Sequence, residues 1–278
     1  MRILLIMDPL IAVPPRHYGG IERVVADLAD ELVHRGHEVT LWAAPGSHID
    51  GALEPFGHEG EWTRWSNARN TAVLTARFLR RPGAYDVVHN FGRLAYLTTV
   101  LSRNVPKVQT YMRRVNPDNM RRASSLGARR LNRRLIIAGN LSTLPEEREY
   151  FHSTIEPAID GQLVSYIGPV DDRQKDELLG SAAAFLLPIE WLEPFPVVLP
   201  EALLCGTPVV AFRQGGVPEG IDHGRTGFVC DTVDEMVAAI GRLDEIDRAE
   251  CRAEGGRRFS TKTIVDDYER LYVRLHAD

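Results

Sequence analysis

Two carboxylates eight positions apart, Glu193 and Glu201, have the spacing to form a ligand site. They bracket a polar loop that follows an apolar run at residues 184–188. Residues 201–205 are typical of a short helix that Gly206 ends, and residues 209–212 form a second apolar run. This order predicts a parallel βαβ unit whose loop lies at the carboxyl edge of the sheet, where ligands of open α/β folds bind. The spacing alone leaves open whether the two acids form a site or are solvated acids at the start of a helix.

The elements that would position this loop alternate along the rest of the chain. Apolar runs predict strands at residues 2–7, 38–43 and 85–90, and helical spacing of apolar residues predicts a helix at 21–35. Residues 44–65 are predicted to be loop-like. Further helices are expected at 67–79 and 94–101. In the second half, strands at 108–111, 135–138, 163–167 and 227–230 are expected to alternate with helices at 117–130, 146–155, 176–182, 234–243, 248–259 and 264–275.

The residues around the two acids resemble a known family. E-P-F-x-x-V-x-x-E-A-x-x-C-G-T-P-V-V, at residues 193–210, is similar to the E-x7-E signature of retaining family 4 glycosyltransferases of the GT-B fold. Residues 215–219 and 224–228 continue the match in order, and residues 14–23 resemble the amino-terminal glycine loop of that family. The resemblance implies an α/β fold with two Rossmann-like domains that bind a nucleotide sugar between them.

The resemblance also predicts the domain limits. The N-terminal, acceptor-side domain is expected at residues 1–105 and the C-terminal, nucleotide-sugar-binding domain at 106–278, with the final helix able to pack back on the N-terminal domain. Relatives carry a further strand, helices and a histidine-glycine turn before the second domain, and residues 101–108 leave no room for them. The N-terminal domain is therefore predicted to be shortened on its acceptor side.

Site residues follow from the same resemblance. Glu201 is expected to hold the ribose hydroxyls and Glu193 to lie by the donor sugar, with Arg114 stabilising the leaving phosphate as the second catalytic residue. Asn119 stands where relatives have a lysine, and Pro196 stands where they usually have a glycine. The other residues predicted to bind the donor are Gly19, Gly20, Val170, Phe195, Val197 and Val198.

Two residues are candidates for the acceptor side. Tyr18 belongs to the glycine loop, and His89 ends a strand whose sequence resembles the D-V-V-H-x-H ending of the family. A lone histidine at the end of a strand also fits a structural role. The glycine loop itself precedes a helix and could present backbone N–H groups to a phosphate, or it could be a plain βα turn. No G-x-G-x-x-G is present, so a dinucleotide fingerprint is not supported.

Composition and charge restrict the class of protein. The chain has 278 residues, 44% hydrophobic and 26% charged, with a net charge of −5, yet residues 113–134 carry eight arginines against Asp118 alone. This cluster suggests a local anion site or a membrane-facing patch, and nucleic acid is disfavoured because no aromatic stacking pattern accompanies it. The start is too short and too soon acidic for a signal peptide. Three widely spaced cysteines favour a reducing cytoplasm.

The sequence therefore predicts a cytoplasmic glycosyltransferase that moves a sugar, with retention, from a UDP- or GDP-linked donor to an unidentified carbohydrate or small-molecule acceptor. The resemblance implies neither a cofactor nor a metal. Peripheral membrane association is possible. Two alternatives remain: a nucleotide-sugar-binding or scaffold protein that has lost turnover, and a GT-B-like sugar-nucleotide epimerase.

Overall fold

The computed structural model describes residues 1–16, 19–58, 63–97, 105–109, 133–141, 145–189 and 191–277. The chain forms two compact units. The first unit comprises Met1–Met112 with Ser260–Asp278, and the second unit comprises Arg113–Phe259. Within the described ranges, no helix combines the length and the apolar character needed to cross a bilayer.

A parallel five-stranded sheet forms the centre of the first unit. Its strands are β1 (Arg2–Ile6), β2 (Glu38–Trp42), β3 (Ala52–Leu53), β4 (Val87–Asn90) and β5 (Lys107–Gln109), in the order β3-β2-β1-β4-β5. Ile3 pairs with Val39 on one side and with Val87 on the other. After its first residue β1 is buried throughout, as expected of a central strand covered on both faces.

α1 (Gly20–His34) and α2 (Arg64–Arg80) lie on opposite faces of this sheet. α1 buries Val25, Leu28, Ala29 and Leu32 at helical spacing, against Ile3 and Leu5 of β1. α2 covers the opposite face, because Leu74 and Phe78 pack with Leu4 and Ile6, whose side chains alternate with those of Ile3 and Leu5. Thr63 and Ser66 form a reciprocal capping box that fixes the start of α2.

The second unit is also built from parallel strands and helices. One pair joins β6 (Leu135–Ile137) to β7 (Val164–Tyr166), and a three-stranded sheet has the order β10-β9-β8, with β8 at Phe185–Leu187, β9 at Val209–Phe212 and β10 at Gly227–Cys230. Its helices are α3 (Pro145–Tyr150), α4 (Asp172–Ser181), α5 (Val198–Leu204), α6 (Val217–Gly220), α7 (Val233–Ile240) and α8 (Arg248–Phe259). A π-helical turn at Phe151–Ile155 and 3-10 turns at Glu156–Ala158 and Leu243–Glu245 complete the described elements of this unit.

The position of α5 is fixed by close packing on two sides. Leu199, Ala202 and Leu203 are fully buried in the same core as β9. On the other side lies Gly255 of α8, where an added Cβ would come 2.9 Å from the backbone carbonyl carbon of Leu203 and the amide nitrogen of Leu204. A larger residue at 255 would therefore push α8 away from α5.

The last helix, α9 (Thr261–Ala277), packs on the first unit. The Arg35 guanidinium lies 2.6 Å from Asp266 and 2.7 Å from Glu269, and His37 lies 2.9 Å from the same Glu269 carboxylate. Tyr272 is fully buried. The chain thus returns to its first unit after completing the second.

Several sequence-based expectations differ from this structure. The strand expected at 108–111 was assigned to the second domain, but β5 pairs with β4 in the first sheet, with Val88 opposite Lys107. The predicted boundary lies after 105, whereas the first compact unit extends to Met112. The segment at 44–65 contains β3, which is too short to show an alternating pattern. Of the helix expected at 94–101, Leu94–Leu97 form a 3-10 turn and 98–101 lie outside the described residues. The helix expected at 117–130 also lies outside them.

His89, predicted to face the acceptor cleft, is instead buried beneath α9. Its side chain is 0% exposed, its ring stacks on Phe91 at 3.9 Å, and its Nδ1 lies 2.5 Å from the Tyr272 hydroxyl. Burial lowers the pKa of His89 from 6.5 to about 3, so the imidazole stays neutral in the folded protein. The acceptor-side assignment of His89 is corrected, because a side chain without exposure has no direct access to a substrate.

This burial predicts a pH dependence of stability. Below about pH 6.5 the unfolded chain binds a proton at His89 and the folded chain does not. The free energy of unfolding therefore falls as the pH is lowered. We expect His89→Gln, whose amide can still bond to Tyr272, to remove about 1.4 kcal/mol of the stability lost between about pH 7.5 and about pH 5.5. Urea unfolding of both proteins at the two pH values measures this difference, and equal losses would contradict it.

Candidate active site

The loop between β8 and α5 carries both predicted carboxylates. Because β8, β9 and β10 run parallel, this loop lies at the carboxyl edge of their sheet. Glu193 stands in the loop, and Glu201 stands in the first turn of α5. The two acids therefore occupy the place that the βαβ pattern predicts.

Glu193 is held from its own loop. The indole Nε1 of Trp191 donates a hydrogen bond of 2.9 Å to Glu193 Oε2. The Glu193 backbone carbonyl accepts a 2.8 Å hydrogen bond from the Gly216 N–H. Side chain and main chain of this residue are both fixed, while the side chain remains partly open to solvent.

The glycine turn after β9 presses against the same loop. Gly215 has φ +51°, and a Cβ there would lie 2.1 Å from the Glu193 carbonyl oxygen. A Cβ at Gly216 would lie 2.0 Å from the Pro194 carbonyl oxygen. These distances are far below van der Waals contact, so this pair must be glycine for the loop to keep its present position.

Glu201 is held from a different helix. Lys175 of α4 donates a 2.6 Å hydrogen bond to Glu201 Oε1 and lies 3.3 Å from Asp172 Oδ1. Burial alone would lower the pKa of Lys175, but the hydrogen bonds and charges of Glu201 and then Asp172 outweigh it and raise that pKa above its usual value. Lys175 therefore stays charged. In the part of the chain that the structure describes, Oε2 of Glu201 receives no hydrogen bond, so this oxygen can accept one from a ligand.

The remaining predicted donor residues of the second unit lie at, or just before, the starts of α4 and α5. The Phe195 ring packs on Phe259 with centroids 5.7 Å apart, and Pro196 is buried. Val197 precedes α5 without a side-chain cap, so it and Val198 begin a helix whose first N–H groups have no side-chain acceptor. Val170 directly precedes Asp171, the N-cap of α4.

Other predicted residues lie in the first unit or outside the described ranges. Gly19 caps α1 and Gly20 begins it. A Cβ at Gly19 would lie 2.8 Å from Pro15 and 2.9 Å from the carboxylate of Glu22, a buried acid whose pKa is raised by desolvation. Tyr18, Arg114 and Asn119 fall outside the described residues, and their assignments stay predictions.

The first sheet has a polar cluster of its own at its carboxyl edge. Asp8 follows β1 and is buried, Asn90 ends β4, and Arg93 Nε lies 3.7 Å from Asp8 Oδ1. The chain leaves β1 toward β2 on one side, while β4 lies on the other, so this is the point where the strand order reverses. Open α/β sheets bind ligands at such points.

The sequence pattern did not indicate Lys175, the Asp8–Arg93 pair or the role of Trp191. Lys175 lies 26 residues before Glu201, on a helix surface where a lysine is ordinary. The strand ends at Asp8 and Asn90 were recognisable from the sequence, and the switch-point rule would have indicated them. Within the described ranges, no group of three or more His, Cys, Asp or Glu side chains is arranged to hold a metal ion.

Comparison with known proteins identifies the family. Glycosyl transferases group 1 matches residues 104–255, and Glycosyltransferase Family 4 matches residues 18–139. The first of these matches covers more than half of the chain. The chain belongs to the glycosyl transferases group 1 family. The predicted family and fold class are thereby confirmed.

Individual relatives support this membership. The chain is 36% identical over 110 residues to N-acetyl-alpha-D-glucosaminyl L-malate synthase of Bacillus anthracis. The matched segment covers 37% of this chain and 29% of that relative. The match thus spans less than a third of the length of that curated relative.

Solved structures of other proteins align over almost the whole chain. AviGT4, a glycosyltransferase involved in avilamycin A biosynthesis, has a TM-score of 0.70 at 25% identity, covering 99% of this chain and 98% of its own. Anabaena Alr3699/HepE in complex with UDP-glucose has a TM-score of 0.61 at 16% identity, with coverages of 99% and 100%, and supports the fold alone.

The contact between Lys175 and Glu201 predicts energetic coupling. Lys175→Met leaves a partly buried carboxylate without its cation, so we expect it to lower the free energy of unfolding by about 1 kcal/mol. Glu201→Gln should have a smaller effect, and the double variant should be less destabilised than the sum of the two. Urea unfolding of the four proteins measures the coupling, and strict additivity would show that the pair does not interact.

The close approach of the glycine turn predicts a steric effect at one position. Gly216→Ala should lower the free energy of unfolding by about 1–3 kcal/mol, because the loop at Pro194 must move to accept the methyl group. Gly256→Ala is the matched control, since this glycine lies in α8 with no atom within 4 Å of an added Cβ. Alanine should be neutral or stabilising there. Calorimetric melting of both variants tests this, and similar melting temperatures would refute the steric argument.

Proposed function

We propose that this protein transfers a sugar from a nucleoside-diphosphate sugar to a carbohydrate or small-molecule acceptor, with retention of anomeric configuration. One observation carries the proposal: the two acids of the E-x7-E pattern are each held by a side chain, Glu193 in the loop after β8 and Glu201 in the first turn of α5. Family membership favours glycosyl transfer for such a site.

Glu201 has the surroundings expected of a residue that binds ribose hydroxyls. Lys175 donates a hydrogen bond to Oε1, and the second oxygen is available to a ligand. A hydrogen bond to a charged acceptor contributes about 1.5–3 kcal/mol, or a factor of roughly ten to a hundred in affinity. The nucleoside half of the donor would be held here.

Glu193 would lie by the donor sugar. Cleavage of the bond between the anomeric carbon and the diphosphate develops positive charge on the sugar and negative charge on the leaving phosphate. A carboxylate fixed by Trp191 can stabilise the first without reorganising. The second would be stabilised by Arg114, by the N–H groups of Val197 and Val198, and by Gly20, with Asn119 nearby.

The acceptor would bind to the first unit. Asp8 and Arg93 support this part of the proposal, because a buried acid beside a cation at a switch point suits a hydroxylated ligand. Tyr18 remains a predicted member of this side.

The nature of the donor is a finer part of the proposal. UDP- or GDP-linked sugars are favoured by the resemblance, and UDP-glucose is the ligand of one structural neighbour that shares the fold. Metal independence, a cytoplasmic location and membrane contact through the arginines at 113–134 remain sequence predictions.

A division of labour between the two acids tests the proposal. Glu201→Ala should weaken binding of UDP or GDP by about tenfold or more, because the ribose loses its charged acceptor. Glu193→Ala should spare the free nucleotide and impair binding or turnover of the nucleotide sugar. Calorimetric titration with both nucleotides and their common sugar derivatives separates these effects. Glu177→Gln on the exposed side of α4 is the control and should change neither.

Turnover decides between the function and its alternatives. NMR of the product measures its anomeric configuration. Transfer or hydrolysis with that configuration retained supports glycosyl transfer. Tight binding of nucleotide sugars without any release of nucleotide would favour the binding or scaffold alternative, and recovery of an epimerised nucleotide sugar would favour the epimerase. Failure of all common nucleotides to bind would refute the site.

A further inference from the structure

α2 exposes an apolar stripe on the side that faces away from the core. Trp65 is 87% exposed and Leu79 is 61% exposed. Ala68, Ala72 and Ala76 lie between them at helical spacing, so the five side chains share one face of a helix about 25 Å long. A face with a fully presented tryptophan at one end and a leucine at the other is unusual for a surface that contacts only water.

The charged residues of α2 itself have one sign. α2 and its C-cap carry five arginines and no acidic residue. Arg77 and Arg81 contact Glu54. Arg64, Arg69 and Arg80 are exposed and border the stripe on both sides.

The opposite face of the same sheet has the reverse character. α1 and its C-cap carry Glu22, Asp27, Asp30 and Glu31 against Arg23 and Arg35. Since α1 and α2 pack on opposite faces of β1, a basic helix and an acidic helix lie on opposite faces of the first sheet. This polarity would orient the unit in front of a negatively charged surface.

The inner face of α2 is securely packed. Phe78 lies against Trp42 with ring centroids 4.8 Å apart, and the Arg77 guanidinium lies over the same indole at 5.4 Å. The capping box fixes the start of the helix. The outer stripe is therefore presented by a rigid helix, and changing it does not disturb the core.

We propose that the outer stripe of α2 docks on an anionic lipid surface, with Trp65 and Leu79 inserted at the interface and the bordering arginines facing the headgroups. Indole rings favour the boundary between hydrocarbon and headgroups, and each arginine near such a surface strengthens binding about fivefold. The absence of any acid on the helix favours lipid over a symmetric contact with α2 of a second copy of this chain, because that contact would place arginines against arginines.

This inference does not depend on the proposed function. It uses neither the E-x7-E loop nor the arginines at 113–134. Vesicle binding needs no nucleotide sugar, so its failure would leave the transferase proposal intact, and the absence of nucleotide binding would leave this proposal intact.

Co-sedimentation of the full chain with vesicles tests the proposal. Binding is expected with phosphatidylcholine mixed with phosphatidylglycerol, weaker binding with phosphatidylcholine alone, and a decline as salt is raised. Trp65→Ser with Leu79→Ser should weaken binding about tenfold. Arg69→Gln with Arg80→Gln should weaken it at least about tenfold on anionic vesicles and hardly at all on neutral ones.

A matched control lies on α9. Val273 is 54% exposed and Arg270 is exposed beside it, but this helix also carries Asp266, Asp267 and Glu269. Val273→Ser with Arg270→Gln should leave vesicle binding unchanged. All variants should melt within a few degrees of the wild type, which excludes unfolding as the cause.

Three outcomes would overturn the proposal. They are no binding to anionic vesicles, equal binding of the α2 and α9 variants, and a wild-type dimer that becomes monomeric when Trp65 and Leu79 are changed. Light scattering during size exclusion measures the last, which would assign the stripe to a second copy of the chain.

Discussion

The candidate site depends on the contact between the glycine turn after β9 and the loop after β8. With no room for a Cβ at Gly215 or Gly216, the turn and the backbone at Glu193 and Pro194 touch directly. The far end of the loop is fixed by α5, which Gly255 allows α8 to approach closely. Both ends of the loop are therefore determined by backbone contacts, and the separation of the two carboxylates follows from them. A fixed separation of charged groups allows electrostatic stabilisation without reorganisation during a reaction.

Each carboxylate combines restraint with availability. Trp191 and Lys175 each hold one carboxylate oxygen and orient the group. Neither acid is fully buried, so neither carries the large desolvation cost of an unpaired internal charge. Lys175 differs from Trp191 in adding positive charge, so Glu201 is held by an ion pair and Glu193 by a neutral donor. The contacts from Trp191 and Lys175 explain how a loop glutamate and a helix glutamate form a defined site for a polar ligand.

The sequence was sufficient for local features and insufficient for distant pairings. The apolar runs predicted the strands around Glu193 and Glu201, because a buried parallel strand needs such a run. The sequence could not show that Tyr272 packs on His89, 183 residues away, or that Lys175 bonds to Glu201. The membership of Lys107–Gln109 was misassigned for a similar reason, since three residues carry no period and their sheet is chosen by long-range pairing. Family resemblance gave roles to Arg114 and Asn119, and those roles still rest on the sequence.

The two faces of the first sheet are covered by different helices. Alternate residues of β1 support α1 and α2, and α9 joins the α1 side through Arg35 and Tyr272. That side gains a further helix, and its outer charges, Asp27, Asp30 and Glu31, are acidic. In the described part of the chain, the outer stripe of α2 has no such cover. Any surface that attracts the arginines of α2 repels the acids of α1, so a negatively charged partner would meet the first unit from the α2 side.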